Sequence, residues 1–244
     1  PAEFTFFLPT QRVLCMAEVC TQTQHNLLTP RGAEVRDARL WANVIDDALV
    51  RFGDRTDVLV NSHNWPVWGQ ESVHQFMLEQ RDIYKYVHDQ TLRLANHGMT
   101  IKEVGDALQE PDFARDALHT RGNYGMLYFN ARAVSQKYYG AFDGRAVDLN
   151  PLPPETEGKR YLKALGGEAR VLELAQEAID EDDLQWAATL VNHAVFAGSP
   201  SAEARTLLAT IYRNMAYRAE SGIERNICLA GALELEDGVK VLPA

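Results

Sequence analysis

Between residues 1 and 70 the apolar positions fall in short runs around one longer amphipathic stretch. Phe4–Leu8 and Val13–Val19 read as strands, parted by Pro9-Thr10-Gln11. Arg36–Phe52 reads as a helix, with Leu40, Trp41, Val44, Ile45, Ala48, Leu49 and Phe52 on one face and Gly53 at its end. Asp57–Val60 follows as a brief buried strand, and Pro66 ends regular structure beyond it. This alternation is the rhythm of an α/β layer.

From about residue 71 the pattern turns helical. Phe76, Ile83, Val87 and Leu94 form one stripe closed by Gly98, and Thr100-Ile101-Lys102-Glu103 is a capping box opening the next helix. Tyr124–Tyr139 reads as a further helix, and Asp148–Glu157, with Pro151, Pro153 and Pro154, as an extended connector. Three helices follow near 168–180, 183–197 and 200–219, the last with Ser199 as N-cap and Pro200 at its first helical position. Trp186 and the repeated alanines resemble tetratricopeptide packing, without a clean second repeat. Such an array needs partner surface to cover its apolar face, which points to dimerisation. The expected fold class is α/β followed by all-α.

Composition narrows the function. The balance of 24 Lys and Arg against 34 Asp and Glu gives −10, with no basic stretch, so general nucleic-acid binding is not expected. An anionic substrate would need a local cationic pocket. No apolar run is long enough to span a membrane. The three cysteines are odd in number and lack CxxC spacing, which fits neither a disulfide framework nor a zinc knuckle.

Three residues carry candidate chemistry. Glu18 lies near the end of an apolar strand, where it is either solvent-facing or held by a counter-charge or metal. His63, in Asn61-Ser62-His63-Asn64-Trp65-Pro66, follows a strand end at the sheet edge; it is a loop histidine or a ligand. A carboxylate and an imidazole on two strand ends can share one cation such as zinc. Arg31, between Pro30 and Gly32, is an exposed loop arginine or a fixed guanidinium suited to a tetrahedral oxyanion. His25-Asn26 reads as a structural or supporting pair. His74, His88, His97, His119 and His193 lack ligand spacing and read as structural or surface residues.

Together, Leu14-Cys15-Met16-Ala17-Glu18, His25-Asn26-Leu27-Leu28-Thr29-Pro30-Arg31-Gly32-Ala33, Val35-Arg36-Asp37 and Ser62-His63-Asn64-Trp65-Pro66 resemble the zinc-dependent alkyl/aryl sulfatases of the metallo-β-lactamase fold. The similarity continues through Arg121-Gly122, Tyr124-Gly125, Phe142-Asp143-Gly144 and Glu220-Ser221-Gly222. It implies the second part of an αββα sandwich over residues 1–75, a helical, tetratricopeptide-like dimerisation domain over 76–225, and a linker over 226–244. Read so, the chain is an internal piece, without the family's H-x-H-x-D-H motif and its sterol-carrier-like C-terminal domain.

By the same resemblance Glu18 and His63 match metal ligands of a two-zinc site, and Arg31 matches the arginine that contacts sulfate. The implied reaction is hydrolysis of alkyl sulfates, dodecyl sulfate among them, in a homodimer. With two protein ligands where catalytic zinc has three, the isolated chain is expected to be inactive and to bind zinc poorly. Phe129 stands where the family commonly has a histidine, and Ala141 where an aromatic follows Gly140. Those departures leave room for another ester as substrate. A non-catalytic helical dimerising module is the further alternative.

Overall fold

The computed structural model describes residues 3–30, 32–198 and 200–239, in two compact units, Pro1–Leu149 and Asn150–Ala244. The first opens with β1 (Phe6–Leu8) and β2 (Val13–Cys15), paired antiparallel. Helix α1 (Ala38–Phe52) then crosses to β3 (Val58–Val60), which lies parallel to β2 with Leu14 opposite Leu59. A parallel neighbour needs such a crossover, and α1 supplies it. Strand β4 (Val67–Trp68) returns antiparallel, giving the order β1-β2-β3-β4.

Strand β2 stops four residues short of the expected Val19. Ala17 takes a left-handed φ of 48°, and the Val19 amide donates back to the Met16 carbonyl at 2.9 Å, so the chain turns there. Asp37 caps α1 by accepting from the Leu40 amide at 3.0 Å. Its buried stripe is Ala38, Ala42, Ile45, Ala48 and Leu49, rotated from the expected face. The small Ala38 and Ala42 let the helix approach its neighbours, while Leu40 and Val44 face outward.

Helix α2 (Gln70–Asn96) buries Val73, Phe76, Met77, Ile83, Tyr84, Val87 and Leu94, and packs on α1. It runs through residue 75, because this stripe joins the strand layer and the following helices in one core. The capping box forms as expected: the Thr100 amide donates to Glu103 Oε2 at 2.8 Å and the Glu103 amide to Thr100 Oγ1 at 3.4 Å, opening α3 (Ile101–Ala107). The short α4 (Asp112–Arg115) and α5 (Leu127–Tyr139) complete this unit.

The second unit is a helical array. Helix α6 (Pro154–Leu165) begins inside the stretch read as a connector, because Pro154 sits at its first turn, where the missing N–H leaves nothing unpaired. Helices α7 (Glu168–Asp180) and α8 (Leu184–Phe196) follow near their expected positions. Helix α9 (Ala202–Arg218) starts later than expected, because the Ser201 hydroxyl caps it by accepting from the Ala204 amide at 3.0 Å; Ser199 lies outside the described residues. Helix α10 (Gly222–Asp237) occupies most of the segment read as a linker, with Ser221 as its N-cap. Its apolar residues explain this: Ala232 is buried and Leu235 packs on the array's core. Trp186 is half exposed. Among the described residues no helix is long and apolar enough to cross a membrane.

Helix α6 meets α8 closely. A Cβ on Gly158 would lie 2.5 Å from the His193 carbonyl oxygen. Gly158→Ala therefore forces the two helices apart, and the strain outweighs the ordinary helix gain of alanine, for a net loss of about 1–2 kcal/mol. A lowered urea midpoint in chemical denaturation checks it.

Candidate functional site

The parallel β2–β3 ladder continues past both strand ends and assembles the site. The Met16 amide donates to the Val60 carbonyl at 2.9 Å, and the Ser62 amide to the Ala17 carbonyl at 3.1 Å. These two bonds bring Glu18 and His63, 45 residues apart, to one rim of the sheet. Glu18 Oε1 stands 2.9 Å from His63 Nε2. The turn at Ala17 is what aims the carboxylate there.

Glu18 also has a second imidazole. Its Oε2 lies 3.1 Å from His25 Nε2, so one carboxylate spans two histidines whose ring centres are 6.1 Å apart. The His63 hydrogen bond, with help from His25, holds the Glu18 carboxyl below its usual range despite partial burial. His25 is the buried partner. Burial first, and the Arg36 charge second, lower its pKa to about 4, so at neutral pH it is an uncharged ring that donates from Nε2 to Glu18. The His25 ring stacks on Tyr124 at 5.2 Å and tilts against Trp41 at 5.6 Å.

The loop carrying His25 is fastened to the rest of the unit. The His25 amide donates to the Tyr84 hydroxyl at 2.8 Å, inside the core. Arg36 Nη1 donates to both the carbonyl and the side-chain oxygen of Asn26, each at 2.8 Å. Trp41 Nε1 donates to the Val19 carbonyl at 2.6 Å, fixing the other side of the Glu18 turn.

Carboxylate oxygen and imidazole nitrogen are the ligand types zinc takes, and both Glu18 and His63 are reachable from solvent. Two tetrahedral zinc ligands lie ~3.3 Å from each other when each bond is ~2.0–2.1 Å, close to the Glu18–His63 separation. Among the described residues no set of three or more His, Cys, Asp or Glu side chains is arranged to hold a metal ion. The pair fits as part of a donor set.

Arg31 lies outside the described residues. The other histidines take different roles: His119 bonds Glu79 at 2.6 Å, His88 bonds the Tyr138 hydroxyl at 2.8 Å, and His193 stacks on Tyr161 at 4.0 Å. The sequence left His25 between a structural and a supporting role, and its 3.1 Å contact with Glu18 is a supporting one. Its signal was weak, since a polar His-Asn pair in a loop looks the same whether or not it is aimed inward.

A groove of roughly 460 Å³ adjoins Glu18, with Val19, Leu40, Trp41 and Val44 as apolar walls; its charged lining mixes Arg36 and Lys137 with Glu3, Glu34 and Asp37, and Lys137 pairs with Asp37 at 3.4 Å. A wider cleft of roughly 1110 Å³ opens beside Trp65 and Trp68 and contains neither Glu18, His25 nor His63. The smaller groove reaches the cluster through Glu18 alone, since neither His25 nor His63 lines it.

The alkyl sulfatase dimerisation family matches residues 100–238. The chain is 43% identical to an (R)-specific secondary-alkylsulfatase from Pseudomonas sp. over 98% of its own length and 36% of that protein's. It is likewise 43% identical to an alkyl/aryl-sulfatase of Saccharomyces cerevisiae, covering 98% of this chain and 37% of that one. The solved structure of a stereoselective inverting sec-alkylsulfatase from Pseudomonas sp. superposes with a TM-score of 0.93 at 43% identity, over 97% of this chain and 37% of that one. The chain thus spans little more than a third of the length of the relatives it matches.

Proposed function

Because this chain belongs to the alkyl sulfatase family, we propose that it is part of a zinc-dependent hydrolase that cleaves alkyl sulfate esters to alcohol and inorganic sulfate. The observation that carries the reading is the Glu18 carboxylate spanning His25 and His63 at the sheet rim. In this reading β1–β4 with α1 and α2 form the second part of a metallo-β-lactamase sandwich, and the helical region pairs two subunits.

Glu18 and His63 would hold zinc together with ligands from outside these 244 residues. When bound, zinc would supply Lewis-acid polarisation and a water acidified toward neutral pKa. His25 fixes the Glu18 carboxylate through its second oxygen and keeps it ionised, as an outer hydrogen bond to a ligating carboxylate does. Arg31 would hold the sulfate oxygens through its planar fork. The alkyl chain would lie along Val19, Leu40, Trp41 and Val44, which accounts for apolar residues of α1 left uncovered in the described chain.

The test is sulfate release from a series of alkyl sulfates, dodecyl sulfate included, by the full-length protein. Turnover that a chelator removes and added zinc restores is expected. Turnover indifferent to chelation contradicts the metal, and absence of turnover on every sulfate contradicts the substrate class. A second reading, a related two-metal hydrolase for another ester, is favoured by Phe129 standing where the family commonly has histidine. Phosphate esters and lactones in the same panel separate the two, and silence on all of them leaves a dimerising module without catalysis.

A further inference from the structure

Residues 124–130 reach back and grip the loop that carries His25. Asn130 sits on α5, fully buried, on a helix that also buries Ala131, Ala133, Val134 and Ser135. Its Oδ1 accepts from the Leu27 amide at 2.7 Å, and its Nδ2 donates to the His25 carbonyl at 3.1 Å. The side-chain amide thus binds the loop as a neighbouring strand would, one acceptor and one donor matched to backbone groups two residues apart. Just before α5 the Gly125 amide donates to the Gln24 carbonyl at 2.8 Å. A Cβ on Gly125 would lie 2.3 Å from the His25 carbonyl oxygen, so only glycine permits this approach. Tyr124 stacks on the imidazole itself.

A buried amide among apolar side chains is unfavourable unless both its ends are paired. Both ends of Asn130 are spent on the His25 loop, 103 and 105 residues away in sequence. Helix packing alone has no use for it there. We propose that Asn130 and Gly125 are positioning residues for the Glu18–His25–His63 cluster. The segment matched by the dimerisation family then has a second function, which is to complete the hydrolytic site of its own subunit. This inference rests on reading that cluster as the hydrolytic site.

The test uses the full-length protein and three variants. Asn130→Leu removes both bonds, and Asn130→Asp keeps the acceptor for Leu27 while removing the donor to His25. Thr120→Val is the control, a buried hydroxyl bonded to the Ala114 and Ala117 carbonyls, away from the loop. Hydrogen–deuterium exchange of residues 24–30 is read beside kcat and KM for an alkyl sulfate. Asn130→Leu is expected to speed exchange in 24–30 and to lower kcat, each by about tenfold or more, with KM changed less than about twofold. Exchange in α7–α9 stays at the wild-type rate, Asn130→Asp falls between, and Thr120→Val changes neither 24–30 nor kcat.

Wild-type kcat in Asn130→Leu overturns the proposal, whether or not the loop has loosened. An equal loss in Thr120→Val does the same, because it exposes a general destabilisation. If Asn130→Leu does not fold, Asn130→Asp decides by the same two readouts. Failure of the wild-type protein to release sulfate would count against the hydrolase reading instead, and the exchange data would still judge the clamp.

Discussion

In the proposed hydrolase, replacing Glu18 by glutamine in the full-length protein is expected to lower kcat for alkyl sulfates by about a thousandfold or more, equivalent to about 4 kcal/mol of lost transition-state stabilisation. The reason is the number of tasks one carboxylate performs. Its two oxygens engage two imidazoles, at 2.9 and 3.1 Å, and its charge is what would hold a cation at the rim. Glutamine keeps the shape but offers a single acceptor oxygen, no charge, and an NH₂ group that must face one of the rings. The fold is expected to survive, because the Glu18 side chain is partly exposed and its backbone bonds are unaffected. Sulfate-release kinetics beside thermal melting check it: a large loss in kcat with a melting temperature close to wild type is the expected pair.

Acidification is expected to destabilise the fold, with His25 as the largest identified contributor. Its pKa is held at about 4 in the folded state, below the ordinary histidine value of 6.5. Between those values the unfolded chain binds a proton that the folded chain excludes, so stability rises with pH through that window. The contribution is fully present above pH ~6.5 and is lost progressively as pH falls toward ~4, amounting to about 3 kcal/mol. Glu18 and His119, whose pKa values are also lowered in the fold, act in the same direction. Urea midpoints from pH 7.5 down to about 4 follow the histidine window, and His25→Gln isolates the His25 share. The variant is expected to show a distinctly flatter pH dependence. Equal slopes for the two proteins would contradict the assignment.

Elements whose periodicity coincides with their burial were legible from the chain alone. The capping box at Thr100 and helix α7 at 168–180 stand where the pattern put them. The misplacements share a cause, in that local signals carry several meanings until tertiary contacts choose among them. Pro154 opens α6, whereas a cluster of prolines in sequence equally marks a connector. Leu40 and Val44 belong to the apolar pattern of α1, yet Ala38 and Ala42 take the buried side because small residues allow closer approach. The Ala17 turn has no sequence mark at all, since alanine rarely adopts φ of 48°, and that turn is what lifts Glu18 out of the strand.

The candidate site follows the same division. Glu18 and His63 were readable as residue types at strand ends, and the structure brings them together. Their closeness was not readable, because it depends on the parallel register of β2 and β3, which a crossover helix sets across a sequence separation of 45 residues. His25 and Asn130 were less visible still. Asn130 did leave a trace, an amide among the mostly apolar residues that α5 buries, and such a residue calls for a partner in the fold.

The most direct test of the proposed metal centre is zinc content per subunit in the full-length protein, compared between wild type and the variants Glu18→Gln and His63→Ala. Wild type is expected to hold about two zinc ions per subunit, as a two-metal hydrolase does, and each variant to lose at least one while remaining folded. Wild-type zinc content in both variants would contradict the account.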